Sequence, residues 1–476
     1  GRATRLVDEL KRVSQAEYDG LDRVVKRWSP EGILTEFDYD LRGNTTLLRT
    51  TPRTTVPPTT PATLSVQATY DVGCGGVKTV TDAKGQITTW NYYPTTCQVS
   101  SIVQPTVLDG VTGTNATPTT NLTYTAAGLL DTVTDPTGVV TDYDYDADGD
   151  RTLKKVNPTG LNLQTSYGHD DVGNITSVTN GNLHQTGYLY DADRRLTRIT
   201  APASTCMITE NVWQGGLVTK VRNAKICNPN FATDTDWQVW QKNYTPTDQV
   251  NVETDPAGDT TDTDYDALDR REYVRHWIGP SDPLRVTRFQ YDPAGPLYRE
   301  YRSWGTVDQI TYAEYGYTRD GRQDWVRDAR LNLTDFEYDG YGRLSRTVYP
   351  DSSYEAFGYD NNGNTLTKRN RSGITITKQY DALNREVSRT VPDNPNYPGD
   401  LTRLLTSTYD LASRPWDTTD GQALRSRYDT AGRLLRVEDA FLNVINTNIG
   451  DVQYTYDAAS NRKTMRFMTG AGWWQH

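Results

Sequence analysis

The chain has 476 residues and a formal net charge of −11, from 61 acidic against 50 basic side chains spread without a basic block. That balance argues against a phosphate-tracking nucleic-acid binder, and no run of 18 apolar residues offers a membrane span. Hydrophobic residues reach only 35%, with 31 Tyr and 11 Trp against 7 Phe and 3 Met, so the apolar material is amphipathic rings suited to a half-wet sheet rather than a thick core.

In chain order, the N-terminal GRATRLVDEL has neither an initiator Met nor the apolar stretch of a secretory signal, as expected of a piece of a longer chain. Tyr18-Asp19 and Tyr39-Asp40 then set a phrase with a spacing of 21 residues. Phe37 stands two before Tyr39; in a strand such residues share one face, whereas on a helix they do not. The Thr/Pro-rich stretch 50–65 delays the next Tyr-Asp, Tyr70-Asp71, and reads as an exposed insertion. Cys74 and Cys97 lie 23 residues apart, close to one repeat, so a disulfide between neighbouring hairpins is expected, with free thiols as the alternative. Asn115 and Asn121 lie in N-x-T sequons, a weak pattern in a Thr-rich chain.

Tyr124 and Tyr145 repeat the interval of 21. Asp144, Asp146, Asp148 and Gly149 open like a calcium loop, but the twelfth position is Lys155 where a bidentate Glu is needed, so an acidic turn is expected. Between 201 and 240 the repeat degenerates. Cys206 and Cys227, 21 apart, are a second expected disulfide there, and Trp213, Trp237 and Trp240 are candidate glycan contacts.

Tyr244 and Tyr265-Asp266 resume the period, and Tyr317, Tyr338, Tyr359 and Tyr380 keep it strictly. The phrase continues at Tyr409-Asp410, Tyr428-Asp429 and Tyr456-Asp457. After each Tyr, the Asp (Asp339, Asp360, Asp381, Asp429) suits an Asx turn, and Gly342, Gly363 and Gly432 suit the left-handed residue that follows. Mid-unit signals such as Asp135-Pro136-Thr137-Gly138 mark a second turn, so each unit reads as two strands and two turns. The whole chain is one array of about eighteen units. The periodic tyrosines are expected to stack as a ladder from repeat to repeat.

The phrase Tyr-Asp-x-x-Gly-Arg-Leu, at Tyr428 to Leu434 and Tyr338 to Leu344, resembles the YD repeat of the Rhs family. That family includes bacterial polymorphic toxins, toxin-complex C components and teneurins. The resemblance implies an all-β array of hairpins coiled into a spiral, hollow or partial shell. It also implies a non-enzymatic wall segment of a secreted or cell-surface protein, enclosing or presenting a C-terminal effector. Flanking segments of a longer chain, or that effector, would be its partners. The family's closing Asp-Pro-x-Gly-Leu signature does not follow the repeat at Tyr456, where the sequence reads TMRFMTGAGWWQH.

A ribbon of this length would make a ring roughly 55 Å across if closed flat, so a spiral of about one to two turns is expected. Open end strands leave self-association into a filament as an alternative function, and glycan-binding adhesion as another. His169, His184, His276 and His476 fall in no metal spacing, and no nucleophile elbow is present. No cofactor, metal or catalytic site is therefore expected.

Overall fold

The computed structural model describes residues 4–8, 11–53, 63–202, 205, 207–278, 285–293, 295–394, 401–420, 423–439, 451–469 and 472–475. Every regular element among them is a β-strand. Forty strands form one antiparallel sheet, each pairing with its neighbours in chain order. The exception is a small hairpin, Val107–Leu108 with Asn115–Ala116, inserted between the paired strands Val99–Val103 and Thr119–Tyr124. Within the sheet the Thr- and Val-rich runs sit where one ring-bearing face is half-covered, as at Thr375–Tyr380.

The strand ending each unit carries the same irregularity. Register shifts by one residue just before the tyrosine, between Asp38 and Tyr39, Asp144 and Tyr145, Glu337 and Tyr338, Gly358 and Tyr359, and Gln379 and Tyr380. A bulge bends its strand and increases local twist. Repeated at one place in every unit, it gives the sheet a regular curl.

The curl brings distant turns together. Ser29 Oγ donates to Asp320 Oδ2 (3.0 Å), and the Glu31 amide donates to Asp320 Oδ1 (2.9 Å). The Arg53 amide donates to the Gly340 carbonyl (3.0 Å), and Lys84 Nζ lies 3.1 Å from Asp360 Oδ2. Asn362 Nδ2 donates to Asp82 Oδ2 (2.6 Å), Asn157 Nδ2 to Thr430 Oγ1 (2.7 Å) and Asn182 Nδ2 to Asp457 Oδ2 (2.6 Å). These partners stand between 273 and 291 residues apart.

In strands the offset is constant. From Leu34–Tyr39 through Ile310–Tyr317 the sheet holds 23 strands, and from Gln185–Tyr190 through Val452–Tyr456 it again holds 23. Successive turns alternate between the two rims of an antiparallel ribbon. An odd offset therefore lays the mid-unit rim of one coil on the Tyr-Asp rim of the next. The molecule is a spiral of about 1.7 turns, and 23 strands at about 4.8 Å enclose a coil roughly 35 Å across. That is narrower than a flat closed ring because the ribbon overlaps itself.

The wall is one sheet thick, and its core is thin. The buried hydrophobic side chains among the described residues are Ile33, Val107, Trp237 and Ala313.

Candidate functional site

The recurrent chemistry of this molecule lies at the Tyr-Asp corner, best seen at Asp339. Its Oδ1 accepts the amides of Tyr341 (2.9 Å) and Arg343 (2.8 Å), closing the turn. Its Oδ2 accepts Arg343 Nε at 2.7 Å. Gly342 takes the left-handed conformation at φ 77°, as do Gly363 and Gly432 in their corners. Elsewhere Asp22, Asp269, Asn384, Ser413 and Ser460 hold that place at φ between 60° and 67°, a strained position for side chains other than glycine.

Arg343 also reaches the following unit. Its Nη1 donates to the Asp360 carbonyl (2.9 Å), and its guanidinium lies 4.7 Å from the centre of the Tyr359 ring. Tyr359 reaches back: its hydroxyl donates to the Leu344 carbonyl at 2.7 Å. The same back-bond joins Tyr39 to Val24, Tyr145 to Leu130, Tyr265 to Val250, Tyr338 to Gln323 and Tyr380 to Thr365, always 15 residues earlier. Across longer connections it joins Tyr317 to Leu297, Tyr409 to Glu386 and Tyr456 to Leu434, and across a shorter one Tyr428 to Pro415. Arg23, Arg385, Arg414 and Arg433 repeat the arginine over the next tyrosine.

This corrects the expected ring-on-ring ladder. The hydroxyls of the periodic tyrosines end on carbonyls, and where the preceding corner carries an arginine, that arginine rather than a second ring lies over the next tyrosine, as at Tyr39, Tyr359, Tyr409, Tyr428 and Tyr456. Among the described residues the ring pairs that include a periodic tyrosine are Tyr93–Tyr124 and Trp416–Tyr428.

The carboxylates respond to this wiring. Side-chain hydrogen bonds from Arg23, Asn44 and Arg195 hold Asp19, Asp40 and Asp191 below the ordinary carboxylate range. Burial alone would raise Asp360, but Asn364 and the Lys84 ammonium across the seam bring it down. Burial raises the tyrosines, Tyr317, Tyr359, Tyr409 and Tyr428 among them. At Asp410 and Asp429 the same Asp–Arg pairs form with Arg414 and Arg433, both at 2.6 Å. Asp266 and Asp381 pair with Arg270 and Arg385. Asp457 uses Asn461, and Tyr18-Asp19 opens the series with Arg23.

Cys74 and Cys97 are bonded to each other across adjacent units. Cys227 is also disulfide-bonded, while Cys206 lies outside the described residues. The degenerate patch is better built than the sequence suggests. Strands Ile208–Gln214 and Leu217–Ala224 form a tight hairpin through Gly215 and Gly216, and the chain then folds over Trp237. Trp237 is 2% exposed, its Nε1 donates to the Asn230 carbonyl (2.9 Å), and Arg222 covers its ring. Arg222 is itself bound by Glu210 and Asp234. Trp237 therefore presents no face to a sugar. Trp213 is half-buried, donating to the Leu196 carbonyl beneath Arg195, and Trp240 is half-buried in its strand.

The corner phrase gave the turn and its glycine, but the back-bonding hydroxyl and the forward-reaching arginine were missed. Their signal was the Arg or Asn that recurs four residues after most of the corner Asp residues. Lys155, which stands where a calcium loop would need a bidentate Glu, is paired with Asp142 and Asp144.

Residues 359–395 match the family model described as RHS Repeat. No curated protein matches the chain. Among solved structures, the crystal structure of TcdB2-TccC3-TEV is similar with a TM-score of 0.57 at 13% identity, covering 96% of this chain and 28% of that one. The crystal structure of TcdB2-TccC3-Cdc42 gives 0.53 at 13% identity, over 98% and 30%. A Tc holotoxin pore of Photorhabdus luminescens gives 0.51 at 13% identity, over 97% and 30%. The chain spans less than a third of the length of each. The RHS repeat is thus matched over residues 359–395, and over nearly the whole chain the fold resembles that of these structures.

Proposed function

We infer that this chain is the wall of a casing: a non-enzymatic segment of a secreted or cell-surface protein that encloses or presents an effector carried by the longer polypeptide. The observation that carries this is the constant 23-strand offset, which makes the ribbon a self-sealed coil rather than an open sheet. Each inner strand is paired on both sides within the sheet, and hydrogen bonds and ion pairs join the turns of one coil to those of the next, which supports a continuous wall. The similarity to toxin-complex chains more than three times as long supports a role as one section of a larger assembly. The Cys74–Cys97 bond supports an oxidising, extracellular setting.

The test appends a short unfolded reporter with a protease site after His476. Cleavage on the order of tenfold slower than in the free reporter peptide supports enclosure, since protection follows the population of accessible states. Equal rates would remove the casing reading.

A further inference from the structure

One corner departs from all the others in two paired positions. Where the unit of Asp339 has Arg343 four residues on, the unit of Asp146 has Asp150. Where the next strand of that unit ends on Tyr359, the next strand here ends on His169, with the same register shift between Gly168 and His169. The spatial partners Arg and Tyr are thus exchanged together for a carboxylate and an imidazole.

The exchange removes the usual hydrogen bonds. In corners with Arg or Asn four residues on, that residue binds the Asp Oδ2, as Asn44 does for Asp40 and Arg343 for Asp339. Among the described residues Asp146 uses only Oδ1, accepting the amides of Asp148 (3.1 Å) and Asp150 (2.9 Å). The ring of His169 has no hydrogen-bond partner among them. The nearby cation, Arg151, is spent on the rings of Tyr143 and Tyr167, at 5.7 and 4.6 Å. One ligand atom each from Asp146, Asp150 and His169 lies within 4.8 Å of the other two.

We propose that Asp146, Asp150 and His169 bind a divalent transition-metal ion of the zinc class. Tetrahedral bonds of about 2.0–2.2 Å set ligand atoms about 3.3–3.6 Å apart, up to about 1.5 Å closer than here. Side-chain rotations supply this, since Asp146 is exposed and the other two are half-exposed. Two carboxylates and an imidazole favour zinc or manganese over calcium, which takes oxygen ligands only. Three protein ligands leave water positions open, and the ion would tie one unit to the next where the arginine–tyrosine contact is missing.

The test titrates Zn²⁺ into the chelator-stripped chain by calorimetry, with Ca²⁺ as the comparison ion. The double variant Asp150→Arg, His169→Tyr restores the pair used in the other units and is expected to fold; Asp148→Asn changes a neighbouring carboxylate outside the cluster. Expected is one Zn²⁺ bound by the parent chain and by Asp148→Asn, and at least tenfold weaker binding by the double variant. Equal binding by the double variant, no Zn²⁺ binding by the parent, or tighter Ca²⁺ than Zn²⁺ binding would each overturn the assignment.

Discussion

At Asp339 a single carboxylate takes two backbone amides and a guanidinium, and the arginine it orients then serves the next unit. Local turn chemistry and repeat-to-repeat adhesion are therefore one network. Truncating its back-bond tests it: Tyr359→Phe removes the hydroxyl from the Leu344 carbonyl and is expected to cost about 1 kcal/mol in chemical unfolding, with no change of fold by circular dichroism. The pH dependence follows from the same groups. Asp19, Asp40 and Asp191 titrate lower folded than unfolded, so their contribution is whole above the unfolded value, about 3.9, and is lost as pH falls through the folded ones. Tyr359 and Tyr409 titrate higher folded, so theirs is whole below about 10 and lost as pH rises beyond it. Thermal melts should stay level between about pH 5 and 9 and fall outside both limits. A midpoint unchanged at pH 3 would contradict the corner's role. The Asp–Gly turns were readable from composition, since the Asx turn is a property of a few adjacent residues. The partners of Arg343 were not, since they belong to a unit 17 residues on.

The hairpin units were legible because strand periodicity and turn residues are both local, and the interval of 21 fixes their number within narrow limits. The bulge before each tyrosine was not, because an extra residue in one strand shows only against its partner, as Tyr380 does against Glu386. The inserted hairpin Val107–Leu108 with Asn115–Ala116 was also hidden, being shorter than any period. A chemical pin crosses units at Cys74 and Cys97, 23 residues apart. By loop entropy it stabilises by about 3 kcal/mol. Cys74→Ala with Cys97→Ala should lower the unfolding free energy by that order, read by denaturant titration under non-reducing conditions. A change below about 0.5 kcal/mol would show the sheet alone fixes these units. The Trp cluster shows the opposite failure: a broken period looked like an exposed patch, while Arg222 and its carboxylates closed the chain over Trp237.

At the scale of the whole molecule, sequence arithmetic bounded the coil to between one and two turns but could not set its pitch. That depends on the twist accumulated over 23 strands and on which turns fit at the seam. The fit is close at Gly181, where a Cβ would come 2.0 Å from the Ala458 carbonyl oxygen. Gly181→Val should therefore pry the coils apart, giving a larger radius by small-angle scattering with strand content retained. The seam itself is the central claim, and a zero-length carbodiimide crosslink tests it most directly. In dilute monomeric protein, Lys84 and Asp360, 3.1 Å apart across the coils, should be joined as efficiently as the hairpin pair Lys155 and Asp142, 3.2 Å apart. The hairpin crosslink without the Lys84–Asp360 crosslink would mean that the ribbon does not wind back upon itself.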